Sequence, residues 1–189
     1  MRSLPLRLAA ALTAATLLAA CGGGSDDSDA DNGTDEPTTS VEAASGETAS
    51  TDDFSFTAPE GWNDVTDDIP GFDPEIAYAA QSSDSDFNDN VNVVREPNAF
   101  DGTAEEYADA NVDALSQGGY DEPRKIGTFD DWVVVAAGAD QNGVTYVVNQ
   151  YYTVVDDQGW VVTFSFAGDT PEDERSELAD SVMQTWAWA

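Results

Sequence analysis

Apolar positions along this chain fall into three regimes. Leu8 to Ala20 (LAAALTAATLLAA) is a continuous apolar run with two threonines, preceded by Arg2 and Arg7 and by no acid. Gly22 to Asp52 holds one large aliphatic residue, Val41, and no aromatic or basic residue. From Asp53 to Ala189 the apolar residues return in short periodic stretches, and every Trp, Tyr and Phe lies there. The middle regime cannot bury enough apolar surface to offset chain entropy, so it is expected to be a disordered acidic tether. The third is the size of one ordinary domain.

Within that domain the periods name the elements. FSFTA (Phe54 to Ala58) alternates as a strand and runs into the turn Pro59-Glu60-Gly61. Ile76 to Gln81 and Val91 to Arg95 are further strand candidates. Thr103 and Glu106 have capping-box spacing, Ala104, Tyr107, Asn111, Ala114 and Leu115 mark one helical face, and Gly118-Gly119 closes the helix. Three strands follow, Trp132 to Ala139, Val144 to Val155 and Trp160 to Ala167. They are joined at Asn142-Gly143, a hairpin signal, and at Asp156-Asp157-Gln158-Gly159. In the last strand Trp160, Val162, Phe164 and Phe166 form a core wall, while Val161, Thr163, Ser165 and Ala167 leave room for a close helix. The terminal helix is expected to fill that place, with Thr170 as N-cap, Pro171 at the first position and a stripe of Leu178, Val182 and Trp186. The pattern predicts an α+β domain: an antiparallel meander flanked by helices.

The first regime has the form of an export signal. It falls short of the roughly 20 apolar residues of a membrane span. It ends in Leu18-Ala19-Ala20-Cys21-Gly22, which resembles the lipobox of bacterial lipoproteins. Two small residues let the segment enter a narrow protease site, and a Cys thiol is nucleophilic enough to take a diacylglyceryl group as a thioether. Cleavage before Cys21 and acylation of the new amine are then expected. Residues 1–20 would be the signal peptide, Cys21 the lipid-bearing first residue of a tether reaching residue 52, and residues 53–189 the folded domain. One acyl chain holds a membrane only marginally, and two hold it stably. The expected location is the extracytoplasmic face of the cell membrane. Cys21 is the only cysteine, so no intramolecular disulfide forms.

Charge narrows the partners. There are 38 acidic and six basic residues and no histidine. Nucleic acid is excluded, because phosphate binding needs clustered Lys and Arg. High genomic GC content or a saline habitat would give the same acidity without an acidic binding site. For metals, Asp84 to Asn90 alternates oxygen-bearing residues. The EF-hand pattern, however, needs Gly and Glu where Asp89 and Arg95 stand, so a solvated loop is the reading and no metal or cofactor is expected. The pairs Asp67-Asp68, Asp130-Asp131 and Asp156-Asp157 read as turns. Without His, and with the one Cys lipidated, no common nucleophile–base set exists, and nothing places a serine beside Lys125. No catalytic residue is assigned. Of Trp62, Trp132, Trp160, Trp186 and Trp188, most read as core and Trp188 as partly exposed.

This order of parts resembles the LpqN/LpqT-type lipoproteins of actinobacteria, members of the PsbP-like fold superfamily. The resemblance runs from about Phe54 to Trp188. It rests on FSFTAPEGW, NVNVVREP followed by TAEEYADANVDALS, YVVNQYYTVVDDQGWVVTFSF and the closing amphipathic helix. Thr185-Trp186 stands where that family often has a Ser-Phe pair. The resemblance implies an antiparallel sheet between helices and a binding or accessory role without catalytic motifs. The expected function is therefore a non-enzymatic interaction module of the cell envelope with an unidentified envelope protein partner. A carrier for a small apolar ligand is the alternative, and an envelope hydrolase a more distant one.

Overall fold

The computed structural model describes residues 41–81, 87–141 and 143–189. Cys21, the signal segment and the tether as far as residue 40 lie outside the described residues, as do Asp84 to Asp86 of the acidic loop.

In chain order the elements are β1 (Thr48–Ser50), β2 (Phe54–Thr57), β3 (Trp62–Asp64), β4 (Ile76–Ala80), β5 (Asn90–Ala99), α1 (Ala104–Gly118) and β6 (Asp121–Phe129). Next come β7 (Trp132–Gln141), β8 (Val144–Val155), β9 (Gln158–Ala167), α2 (Glu172–Met183) and β10 (Ala187–Trp188). Seven strands form one antiparallel sheet in the order β3-β4-β5-β9-β8-β7-β6, and β1, β2 and β10 form a small one. Strand residues alternate between faces, and here both faces are covered. Trp160, Val162, Phe164 and Phe166 of β9 join Val134, Tyr151, the small sheet's Phe54 and Phe56, and Ala179, Val182 and Met183 of α2 in the larger core. Val161 of β9 joins Val133, Val135 and Tyr152 under Tyr107 and Ala108 of α1. The result is a layered α+β domain with α1 on one side and α2 and the small sheet on the other.

Several boundaries differ from the sequence reading. The helix on the small-residue face of β9 is α1, and α2 packs on the aromatic face, where Ala179 and Val182 let it lie close to large rings. α2 is capped by Pro171, whose ψ of 148° keeps it outside the helix. Thr170 instead belongs to the preceding turn, its N–H donating to Ala167 O at 3.0 Å. Trp186 lies beyond the end of α2, and its ring stacks on Phe54 at 4.5 Å. The buried face of α1 carries Ala108 and Val112 beside the expected Tyr107 and Leu115. Residues 41–52, read as tether, are part of the fold: Ala44 N–H donates to Ser181 O at 2.9 Å, and Ala49 in β1 is buried against the core. A single buried alanine in a run of polar residues leaves no apolar period to read, so pairing with β2 decides it.

β6 had no strand signal, since DEPRKIGTF is charged and contains Pro123. It is an edge strand with register shifts against β7, where a missing N–H and exposed charges are tolerated. α1 matches its expectation closely. Thr103 Oγ1 accepts from Glu106 N–H, the Glu106 carboxylate accepts from Thr103 N–H at 2.9 Å, and Gly119 closes the helix at φ 90°.

Candidate functional site

α1 lies across the sheet on the side away from α2, and its two halves behave differently. The first half is packed. Tyr107 rests on Gly159 of β9, where an added Cβ would stand 2.8 Å from the ring. Phe100 and Tyr152 hold the same ring at centroid distances of 5.0 and 5.4 Å. Burial and the nearby Glu96 carboxylate push the Tyr107 phenol far above its ordinary range.

Beyond Asn111 the helix borders a cleft of about 420 Å³ whose floor is the α1-facing side of β5, β9 and β8. Strand register arranges that floor in rows. Asn92, Thr163 and Gln150 lie side by side across β5, β9 and β8. A second row of Val94, Val161 and Tyr152 runs beside it. Tyr152 OH donates to Gln150 Oε1 at 2.6 Å, and Gln150 Nε2 donates to Thr163 Oγ1 at 3.0 Å, which fixes the carboxamide in one orientation. Tyr120 and Tyr146 form one wall, and Phe72 stands at the rim, 43% exposed.

The electrostatics follow from this lining. Burial and the adjacent Tyr146 push the Tyr120 phenol up to about 12, and burial raises Tyr152 further. Both are neutral hydrogen-bonding groups at physiological pH rather than bases. Among the described residues Glu96 is the one carboxylate in the lining, and no Lys or Arg lines it. The cleft therefore offers aromatic surface, amides and hydroxyls, and repels anions.

The residues singled out in sequence do not meet here. Cys21 lies outside the described residues. Of the acidic loop, Asp89 is tied to the backbone, its carboxylate accepting Ala167 N–H at 3.0 Å. Asp67 and Asp68 sit in a single turn of 3-10 helix. Asp130, Asp156 and Asp157 adopt left-handed turn conformations at φ 46°, 51° and 60°. Lys125 pairs with Glu105 and with Asp109 at 2.7 Å, both on α1. Among the described residues no group of three acidic, His or Cys side chains is placed to hold a metal. Trp132 and Trp160 are buried, and Trp188 is 38% exposed as expected. The cleft's floor residues were passed over because they were read only as strand, and Asn111, Ala114 and Leu115 only as a helical face. Their one signal is the alternation Tyr146, Val148, Gln150, Tyr152, which is too polar for a wholly buried face.

No family model matches the chain, and no curated protein matches it. Solved structures do. LpqN of Mycobacterium tuberculosis, described as involved in cell envelope biogenesis, is similar at 14% identity and a TM-score of 0.50, over 72% of this chain and 83% of that one. Cyanobacterial PsbP from Synechocystis sp. PCC 6803 is similar at 18% identity and a TM-score of 0.46, over 79% and 96%. A Bacteroides thetaiotaomicron protein is similar at 16% identity and 0.41, over 72% of this chain but only 45% of that one, so this chain spans less than half its length. The fold is LpqN-like and α+β, as expected. No helix among the described residues is long and apolar enough to cross a membrane.

Proposed function

We propose that this protein is a lipid-anchored accessory module of the cell envelope, held at the extracytoplasmic face by Cys21, which presents the α1 cleft to a partner. The observation that supports this reading best is the cleft itself. Its polar groups are pre-arranged by strand pairing and by the Tyr152–Gln150–Thr163 chain, which suits recognition. The phenols of Tyr120 and Tyr152 are held neutral, which does not suit proton transfer. The likeness to LpqN is consistent with an envelope role and speaks to the fold alone. A carrier for a small apolar ligand is less well served, because a row of amides and hydroxyls crosses the floor.

The test is site-specific photocrosslinking of the full chain in its own envelope. A crosslinking residue at Tyr146, in the cleft, should capture one defined protein in stoichiometric yield. The same residue at Glu177, on α2, should not. Equal capture at both positions, or none at Tyr146, would overturn the proposal. Separately, Cys21→Ala should move the chain from the membrane fraction to the soluble one, and persistence in the membrane would remove the anchor.

A further inference from the structure

Trp188 borders two recesses that share no lining residue with the α1 cleft. One, of about 310 Å³, is bordered by Asp53, Arg95, Trp160 and Trp188. In it the Arg95 guanidinium lies 5.5 Å from the Trp160 ring centroid and pairs with Asp53 at 3.4 Å. This is a cation on an indole face with a carboxylate beside it, supplied entirely by the chain. The other recess, of about 470 Å³, is bordered by Trp132, Trp186, Trp188, Met183, Asp130 and Asp131. It repeats the indoles and the carboxylates, but among the described residues no Lys or Arg borders it.

The indoles are ordered by one another. Trp132 and Trp188 lie parallel within 9° at 5.9 Å, and Trp186 stands at 77° and 74° to them. Nothing fits between the parallel pair; Trp132 is buried and Trp186 is stacked on Phe54, so the open indole surface is that of Trp188, 38% exposed. The Trp186 Nε1 is buried without a hydrogen-bond partner among the described residues, so it is out of reach of a bound molecule.

Each component alone is unselective. Carboxylates attract any cation, and small inorganic cations keep their water. Indoles accept any apolar group. Together they favour a cation with an apolar, weakly hydrated shell, which the negative ring face attracts and the carboxylates hold nearby. We propose that this recess binds a small alkylammonium compound of the choline type. The site is separate from the α1 cleft and does not depend on the function proposed for it.

The experiment titrates the full chain with choline and, in parallel, with 3,3-dimethylbutan-1-ol, its neutral isostere, following the indole N–H resonances. It is run in about 1 M NaCl, where screening over ~3 Å removes diffuse attraction to so acidic a protein. Choline should shift the Trp186 and Trp188 resonances saturably, with the isostere at least about tenfold weaker. Trp188→Ala should lose about tenfold in choline affinity, and Trp188→Phe should recover part of it. Asp130→Asn with Asp131→Asn, which leaves every ring in place, should weaken choline and leave the isostere unchanged. Equal affinity for both compounds, unsaturable shifts, or binding indifferent to Trp188→Ala and to the Asp pair would each overturn the proposal.

Discussion

Gly159→Ala is the sharpest probe of how α1 is held. Gly159 pairs with Val154 within the sheet and is buried, and its φ is not in the left-handed region. At such a position alanine would ordinarily stabilise by about 0.4–1 kcal/mol, by restricting the unfolded chain. Here its Cβ would meet Tyr107 Cζ at 2.8 Å and Cε1 and the hydroxyl at 3.1 Å. The ring has little room to yield, because Phe100 lies on one side and Tyr152 on another. Forcing a methyl into such a contact costs about 1–3 kcal/mol. The net change should be destabilising, by about 1–2 kcal/mol. Urea unfolding should show a lower midpoint with an unchanged slope, and the melting temperature should fall by several degrees. In a Tyr107→Ala background the same change should become neutral or stabilising, giving a coupling of about 1 kcal/mol or more. A Gly159→Ala protein as stable as the parent, or a cycle without coupling, would refute the claim that Tyr107 seats α1 on this glycine.

Three further predictions concern other elements. Asp180 is half-buried and accepts a hydrogen bond from Tyr151 OH at 2.7 Å; burial raises its pKa, and the phenol partly opposes this. A carboxyl whose folded pKa is raised adds stability below its unfolded value of 3.8, and that stability is lost as pH rises through the folded value. Asp180→Asn should therefore gain stability relative to the parent as pH rises from 4 to 7, and a constant difference across urea midpoints would contradict this. Asp157→Gly should stabilise by about 0.5–1 kcal/mol, because a left-handed φ of 60° suits glycine better than aspartate; a lowered melting temperature would show that the Asp side chain has another role. Thr103→Ala removes the capping box and should destabilise by about 1 kcal/mol, with the loss of amide protection concentrated in the first turn of α1.

Legibility in the sequence followed apolar period. β8 and β9 alternate cleanly and pair in one unbroken register, and α1 announces both its ends. Where tertiary contacts overrode local signals, the reading failed. β1 has one buried residue and exists because β2 offers it an edge. β6 carries Pro123 and charges because an edge strand can. The side of the sheet that each helix takes depends on the path of the chain, which periodicity does not report. The cleft was illegible for a related reason: Asn92, Thr163 and Gln150 are far apart in sequence, and only register brings them into one row.

The charge distribution makes the question that composition left open a measurable one. All four basic residues beyond Asp53 are engaged inside the domain. Arg95 joins Asp53 and Glu75, Arg124 reaches Glu172 and Lys125 reaches α1, so that β6 is tied to both helices. Arg175 donates to Thr170 O at 2.5 Å and lies 4.0 Å from Glu172. The surface is left with uncompensated carboxylates, whose mutual repulsion opposes the folded state at low ionic strength. Screening should relieve it, so the melting temperature should rise between 0.02 and 1 M NaCl, a range over which the Debye length falls from more than 10 Å to ~3 Å. If acidity only reflects habitat or genome composition, capture of a partner at Tyr146 should be indifferent to salt over the same range. If it serves recognition, the partner brings positive charge, and capture should fall as salt rises, in opposition to stability. A melting temperature that falls with added NaCl would remove the premise of both, because the four ion-paired cations would then outweigh the repulsion.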